Sequence, residues 1–573
     1  MKLLKQYLLP HRGLLTALAF LLFSNIGLQL INPQIMRSFI DTAKSAAPLD
    51  DIVLIGVLFL GVALLNELMG IGARYTSEKL AWTSTNELRE DLALHCLRLD
   101  VSFHNKKTPG EMIERIDGDV ASLASFFSDF TIRVFGNLLL LTGVLVALYW
   151  ENVLIGAGLT VYAIVTVSAL LLMRNIAVPH WKDAREASAN LFGFLEEHLS
   201  GTEDIRANGA TGNTMNLLYG FAGERLRKEL KAGIVSVRLY ATTTVLYVLG
   251  HILALALGYY LYNQGAITVG TVFMVFWYTD MLFRPLSQLT RQMEDFQKAA
   301  ASISRIEELT ETTTSIVARQ NKLLPDGPLG VRFDRVTFGY DPEEPVLHEV
   351  DFQLEAGKTL GLLGRTGSGK STMSRLLFRL YDVTDGRIQL GEEDLRDLDI
   401  SEVCHRVGMV TQSVQLFRGT VRDNLTFFDA SVPDDHILEV IDHMGLTDWF
   451  GTLSNGLDTE LENEGGGLSA GEAQLLTFTR VFLKDPGLVI LDEASSRLDP
   501  ATEAQIENAV AHLLENRTGI IIAHRLATIQ RADDFLILDD GRIVEHGRRA
   551  DLAADSGSRL SQLLKTGMTE VLS

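Results

Sequence analysis

Cysteine is nearly absent: Cys96 and Cys404 are the only two in 573 residues, far apart and in unrelated contexts. That excludes a disulfide framework and a cysteine-ligated metal site, and it fits a reducing cytosolic face. A basic excess is absent too. The chain has 51 Lys and Arg against 72 Asp and Glu, a formal net charge of −21, so it has no bulk electrostatic grip on nucleic acid. No small-residue cleavage site follows the apolar run after Met1-Lys2-Leu3-Leu4-Lys5. That start reads as an uncleaved first membrane span, not a signal peptide. Charge of either sign thins out in long blocks of the first half, whereas the second half reads as an acidic soluble enzyme.

Those blocks are six apolar runs near 14–31, 52–71, 132–150, 154–173, 240–260 and 269–289. Each is close to the roughly 20 residues that a helix needs to cross a bilayer. Six such runs exceed what a soluble core uses. Connections after the first, third and fifth are short. Those after the second and fourth are long, charged and helical in pattern. Arg74, Lys79, Arg89, Arg98, Lys106, Lys107 and Arg115 fill one; Arg174, Lys182, Arg185, Arg206, Arg225, Arg227, Lys228 and Lys231 fill the other. The first connection carries only Arg37 and Lys44, and the third and fifth carry no Lys or Arg. This asymmetry predicts a multi-pass protein of the cell membrane, with the N-terminus and both long excursions in the cytosol. The segments around Phe103 and around Gly201 lie midway along these excursions, at the tips farthest from the membrane. Glu67 and Asp280, and more weakly His251, are polar groups inside apolar runs, where ionisable residues default to functional roles.

The second half is organised around Gly364-Arg365-Thr366-Gly367-Ser368-Gly369-Lys370-Ser371, which follows an apolar run and opens a helical stretch at Thr372. Strand, glycine loop ending in Lys-Ser, then helix is a P-loop: backbone N–H groups surround a phosphate chain at a helix N-terminus. Lys370 is placed to reach the β- and γ-phosphates of ATP, and Ser371 to ligate Mg²⁺. About 120 residues on, the apolar strand Leu488-Val489-Ile490-Leu491 ends in Asp492-Glu493. Asp492 is a second candidate for Mg²⁺, and Glu493 for orienting and deprotonating the attacking water.

With these motifs in place the chain resembles the ATP-binding cassette (ABC) exporters of the half-transporter type, along essentially its whole length. The fold that this implies is multidomain. An all-α six-helix transmembrane domain over 1–311 and a linker over 312–330 precede an α/β P-loop cassette over 331–573. The resemblance implies that Tyr340 stacks on adenine. It implies that Gln412, in Val410-Thr411-Gln412, contacts Mg²⁺ and senses the membrane domain, and that His524, in Ala523-His524-Arg525-Leu526, contacts the γ-phosphate. Ser496-Arg497-Leu498-Asp499 matches the D-loop, and the Phe103 and Gly201 segments match coupling helices. The signature departs from the family's Leu-Ser-Gly-Gly-Gln: here it is Leu468-Ser469-Ala470-Gly471-Glu472. In the family, groups such as Ser469 and Gly471 close over ATP held by the partner. A carboxylate about 8 Å from a phosphate, at an effective dielectric near 20, costs about 2 kcal/mol per unit charge. That is on the order of 30-fold in closure, unless Glu472 points to solvent.

An intact Glu493 and His524 beside an altered signature favour a heterodimer with a second ABC half-transporter over a homodimer. The expected activity is ATP hydrolysis coupled to export of a small, amphiphilic molecule from the cytosol or inner leaflet. A lipid flippase, a peptide exporter or an importer of siderophores on the same fold are the alternatives. Six spans exclude a soluble ABC ATPase acting on DNA, and Glu493 with His524 argue against a non-hydrolysing, channel-like protein.

Overall fold

The computed structural model describes residues 2–45, 47–129, 134–289, 292–341, 343–411, 414–461, 468–492, 500–522 and 531–566. They form two compact units, Met1–Arg98 with Lys107–Thr312, and Leu99–Lys106 with Thr313–Ser573.

The first unit is helical. Its apolar runs lie in the helices Arg12–Lys44, Leu49–Leu97, Gly136–Glu151, Val153–Ser200, Thr211–Asn263 and Val269–Leu289. Among the described residues four helices are long and apolar enough to cross a membrane; Gly136–Glu151 and Val269–Phe283 are shorter apolar stretches. The third run is expected from residue 132, but the described helix starts at Gly136, and 130–133 lie outside the description. Leu49–Leu97 has 49 residues, or about 74 Å at 1.5 Å per residue, more than twice a hydrocarbon core. Leu54, Leu60, Leu64 and Ile71 on it are exposed, as a lipid-facing surface requires. The tight turn between the third and fourth helices is set by Asn152, whose side chain caps the fourth by accepting from Leu154 N–H at 2.9 Å. Polar groups tie three helices at one end. Arg37 donates to Glu151 at 2.6 Å, and Asp41 accepts from Gly270 N–H at 2.9 Å. Gly270 is obligatory there, since a Cβ would lie 2.4 Å from the Arg37 carbonyl oxygen.

The second unit is built on a six-stranded sheet in the order Arg542–Arg548, Asp534–Asp539, Thr359–Gly364, Thr518–Ile522, Leu488–Asp492, Val407–Val410. Only the Arg542–Arg548 edge pair is antiparallel. Parallel strands must be covered on both faces, which explains why Thr359–Gly364 is buried at every position. A separate antiparallel sheet runs Leu347–Leu354, Val331–Phe338, Asp385–Leu390, Glu393–Asp394. The α/β pattern alone does not predict this sheet.

The short helix Val101–Lys106 belongs to this unit although its sequence lies in the first long excursion. Asp100, just before it, accepts from the Ser315 N–H and hydroxyl at 2.7 Å each and from the Thr314 hydroxyl. Burial opposes the charge on Asp100, but these donors outweigh it and hold its carboxyl below the usual carboxylate range. Asn105 donates to the Tyr381 hydroxyl at 2.7 Å. The second tip, Thr202–Ala207, is a helix of six residues with none buried.

Candidate functional site

Parallel strands deliver their loops to one crest at their carboxyl ends. Gly364 ends one strand and Ile522 the next, and Asp492 pairs with Ile522 and ends the third. Adjacent strands lie about 4.8 Å apart, so the P-loop and Asp492 strands are separated by roughly 10 Å. Val410 ends the fourth strand. The remaining candidates follow these ends directly in sequence: Gln412 after Val410-Thr411, Glu493 after Asp492, His524 after Ile522-Ala523. Gln412, Glu493, Ser496 to Asp499 and His524 themselves lie outside the described residues.

The glycine loop is shaped by backbone conformations that other residues adopt at a cost. Gly367 has φ +86° and Gly369 φ +104°. A Cβ on Gly364 would lie 2.3 Å from the Leu538 carbonyl oxygen, and one on Gly369 2.6 Å from a Leu347 methyl. The helix Lys370–Leu377 starts at the end of the loop. Lys370 is buried, and its ammonium group donates to the carbonyls of Gly364 and Arg365 at 2.8 Å each. The cation therefore lies across the loop that carries the N–H donors, as phosphate binding requires. Ser368 and Thr372 are buried, whereas Arg365, Thr366, Gly367 and Ser371 are exposed.

Tyr340 stands beside this helix. Its hydroxyl is 3.2 Å from Thr372 Oγ1 and accepts from Arg375 at 2.9 Å; its ring is 46% exposed, with the Arg375 guanidinium 5.9 Å over it. Tyr381 meets that ring edge-on at 5.1 Å. Asn105, Tyr381, Tyr340 and the P-loop helix thus form one continuous set of contacts from an excursion tip to the loop. Sequence reading misses Tyr381 and Arg375. Arg375 had a signal, since it lies one helical turn beyond Ser371, but Tyr381 had none.

Ser469 caps the helix Ala470–Leu483. Its hydroxyl accepts from Glu472 N–H at 3.3 Å, and the Glu472 carboxylate accepts from Ser469 N–H at 2.6 Å. This reciprocal pair is a capping box. Glu472 is therefore tied to the helix start, where it is half-buried. Its charge stays at the positive end of the helix dipole, a placement worth about 0.3–1 kcal/mol to the helix. Gly471 is buried; Ser469 and Ala470 are exposed.

Comparison with known proteins places this geometry. Residues 15–286 match the ABC transporter transmembrane region, and residues 347–496 match the ABC transporter family. An "ATP-dependent lipid A-core flippase" of Alcanivorax borkumensis is 30% identical over 93% of this chain and 89% of its own length. A "Fatty acid ABC transporter ATP-binding/permease protein" of Mycobacterium bovis is 30% identical over 82% of this chain and 74% of its own. The "Uncharacterized ABC transporter ATP-binding protein YknV" of Bacillus subtilis is 28% identical over 97% and 92%. A solved bacterial Atm1-family ABC exporter with ATP bound shares the fold at a TM-score of 0.78, 24% identity, 97% of this chain and 98% of that one. With its exporter-type helical membrane domain and its ATP-binding cassette on one polypeptide, the chain belongs to the ABC transporters.

Proposed function

We propose that this chain is one half of a dimeric ATP-driven exporter in the cell membrane, multi-pass, with its N-terminus and cassette in the cytosol. The limits we infer are 1–311 for the membrane domain, 312–330 for the linker and 331–573 for the cassette. The observation that carries the reading is the P-loop: a buried Lys370 held across a glycine loop at a helix N-terminus. The concentration of Lys and Arg in the two long excursions supports the orientation.

In this reading Tyr340 stacks on adenine and the loop from Gly364 to Thr372 holds the phosphates. The donor set fits Mg²⁺, a hard cation that takes oxygen ligands. Ser371 offers an exposed hydroxyl at the first turn of the helix and Asp492 a carboxylate on the same crest; Gln412 completes the set. The ion supplies charge neutralisation at the β- and γ-phosphates. Glu493 takes the proton of the attacking water, and His524 hydrogen-bonds the γ-phosphate. ATP joins two cassettes and switches the spans outward; hydrolysis resets them. Purified and reconstituted with its partner, the protein should move a fluorescent amphiphile across vesicles only when ATP is supplied on the cassette side. Transport without ATP overturns the reading.

The substrate we infer is a small amphiphile. Relatives named as a lipid A-core flippase and a fatty acid transporter support a lipid-like one, which keeps a flippase as the second reading. Within the membrane domain, Tyr247 donates to Asp280 at 3.3 Å, and His251 packs between Tyr247 and Phe276 at 4.2 and 4.5 Å. A carboxylate in this aromatic setting favours cations. Asp280→Asn should lower transport of a cationic dye several-fold and leave an anionic dye unchanged. Equal effects on both remove Asp280 from substrate selection.

The partner we infer is a different half-transporter with an intact signature and no catalytic Glu. Restoring the signature, Ala470→Gly with Glu472→Gln, tests this. Gln keeps the capping box, so the helix stays intact while the charge is removed. In a heterodimer the double change tightens nucleotide closure at the opposite site and barely raises turnover. In a homodimer it raises ATPase activity several-fold, and a stable, highly active dimer of this chain alone would likewise point to a homodimer.

A further inference from the structure

We propose that the cassette carries a binding site for a borderline transition-metal ion, of the Zn²⁺ class, formed by His443, His512 and Glu515. The site is separate from the nucleotide crest. His443 is the last residue of the helix Asp434–His443; His512 lies in the last turn of Pro500–Leu514, and Glu515 just beyond it. One ligand atom from each residue lies within 4.8 Å of the other two. The imidazole rings of His443 and His512 are 5.1 Å apart, and His512 Nδ1 is 3.8 Å from Glu515 Oε2.

Two features beyond proximity point to a cation. His512 Nδ1 is shielded from solvent, on a side chain that is otherwise 40% exposed, and has no hydrogen-bond partner among the described residues; such an orphaned atom is open to a ligand. In addition, two helices end at this point. Each C-terminus carries a partial negative charge, and Glu515 adds a full one. Arg517 shares Phe482 with His443, but its guanidinium is engaged, donating to Asp485 at 2.7 Å and to the Leu513 carbonyl at 3.0 Å.

Two imidazoles and one carboxylate match the donor preference of Zn²⁺, with the fourth tetrahedral position left to water. Bonds of about 2.1 Å place tetrahedral donors roughly 3.3 Å apart, so the three groups must close in slightly. His443 and Glu515 are exposed, and side-chain rotation at the surface supplies that movement. Mg²⁺ demands near-octahedral oxygen ligation and does not compete. The ion would link two helices whose apolar faces already share one core. Ile437, Val440 and Ile441 come from one; Ile506, Ala509, Val510 and Leu513 from the other.

The test uses the full chain, purified without a polyhistidine tag, stripped of metal and kept in Mg²⁺ buffer. Titrated with Co²⁺, it should bind one ion per chain with visible ligand-field absorption, and Zn²⁺ should displace that ion. His443→Ala and His512→Ala should each weaken binding by at least about 100-fold and Glu515→Gln by at least about 10-fold, since changes to the partners of ligands alone cost about 10–100-fold. Cys404→Ser should leave binding unchanged, which separates this site from the exposed neighbours Cys404 and His405. No Co²⁺ binding, wild-type affinity in both histidine variants, or loss of binding in Cys404→Ser overturns the proposal.

Discussion

Lys370→Ala should weaken ATP binding at this chain's site by about 100-fold or more. The size of the effect follows from the chemistry of the loop. A charge-assisted hydrogen bond contributes about 1.5–3 kcal/mol, and Lys370 is the buried cation of the loop, whereas Arg365 is exposed. In the proposed role, removing it takes away the direct attraction to the β- and γ-phosphates. It also leaves the Gly364 and Arg365 carbonyls without the donor they now have at 2.8 Å, so the loop itself loosens. Binding of a fluorescent ATP analogue to the assembled transporter, with the melting temperature recorded without nucleotide, separates the two effects. Unchanged affinity at this site removes Lys370 from phosphate binding. A lower melting temperature with unchanged affinity assigns it to holding the loop.

The P-loop was legible because its chemistry is local. Glycines at Gly364, Gly367 and Gly369 are needed wherever the backbone takes conformations closed to other residues or has no room for a Cβ, as at Leu538 and Leu347. A glycine loop between an apolar run and a helical stretch, ending in Lys370-Ser371, leaves few other readings. The long helices were legible for a similar reason, since apolar runs of bilayer length carry their own signal. The separate antiparallel sheet was not. Its strands Val331–Phe338 and Leu347–Leu354 are the longest among the described strands, but the pairing of Val331 with Leu390 on the side opposite Leu354 joins segments that only the tertiary fold brings together. Residues Leu99–Lys106 were legible as an excursion tip, but their attachment to Thr314 and Ser315 through Asp100 was not. A carboxylate in a polar loop gives no sign of its partner more than 200 residues away.

Glu472 shows a different failure. Ser469 followed three residues later by Glu472 is the sequence pattern of a capping box, and it stands in plain view. Comparison with the family signature draws attention to the charge that Glu brings and away from the cap it makes. The structure joins the two readings: the carboxylate is held by Ser469 N–H at 2.6 Å, so the cap is what keeps the negative charge at the helix start. An anion approaching that helix N-terminus from a partner cassette meets a dipole already engaged by a carboxylate. The weak closure proposed for this half-site therefore has a local cause, and it is removed by Glu472→Gln without loss of the cap.

Glu493→Gln should reduce ATP turnover by at least about 100-fold while ATP binding stays intact, since a positioned general base contributes about 10²–10⁴-fold. Asp492 ends its strand beside Ile522, on the crest that begins at Gly364, and Glu493 is the next residue in the chain. The substitution keeps size and hydrogen-bonding capacity and removes only the ability to take a proton. Affinity, which in the proposed reading rests on Lys370, Tyr340 and the loop, should be unaffected, and ATP should stay trapped in the joined cassettes. The pair of variants therefore makes a sharp contrast. Lys370→Ala loses nucleotide before closure, whereas Glu493→Gln closes on nucleotide and fails to release it. Phosphate release and retained radiolabelled ATP, measured on the transporter assembled with its partner, distinguish the two. In the proposed heterodimer this one substitution silences the whole transporter, because the opposite site has no base. In a homodimer the same change falls on both sites at once. Near wild-type turnover by Glu493→Gln in the assembled transporter rules out its role as the base.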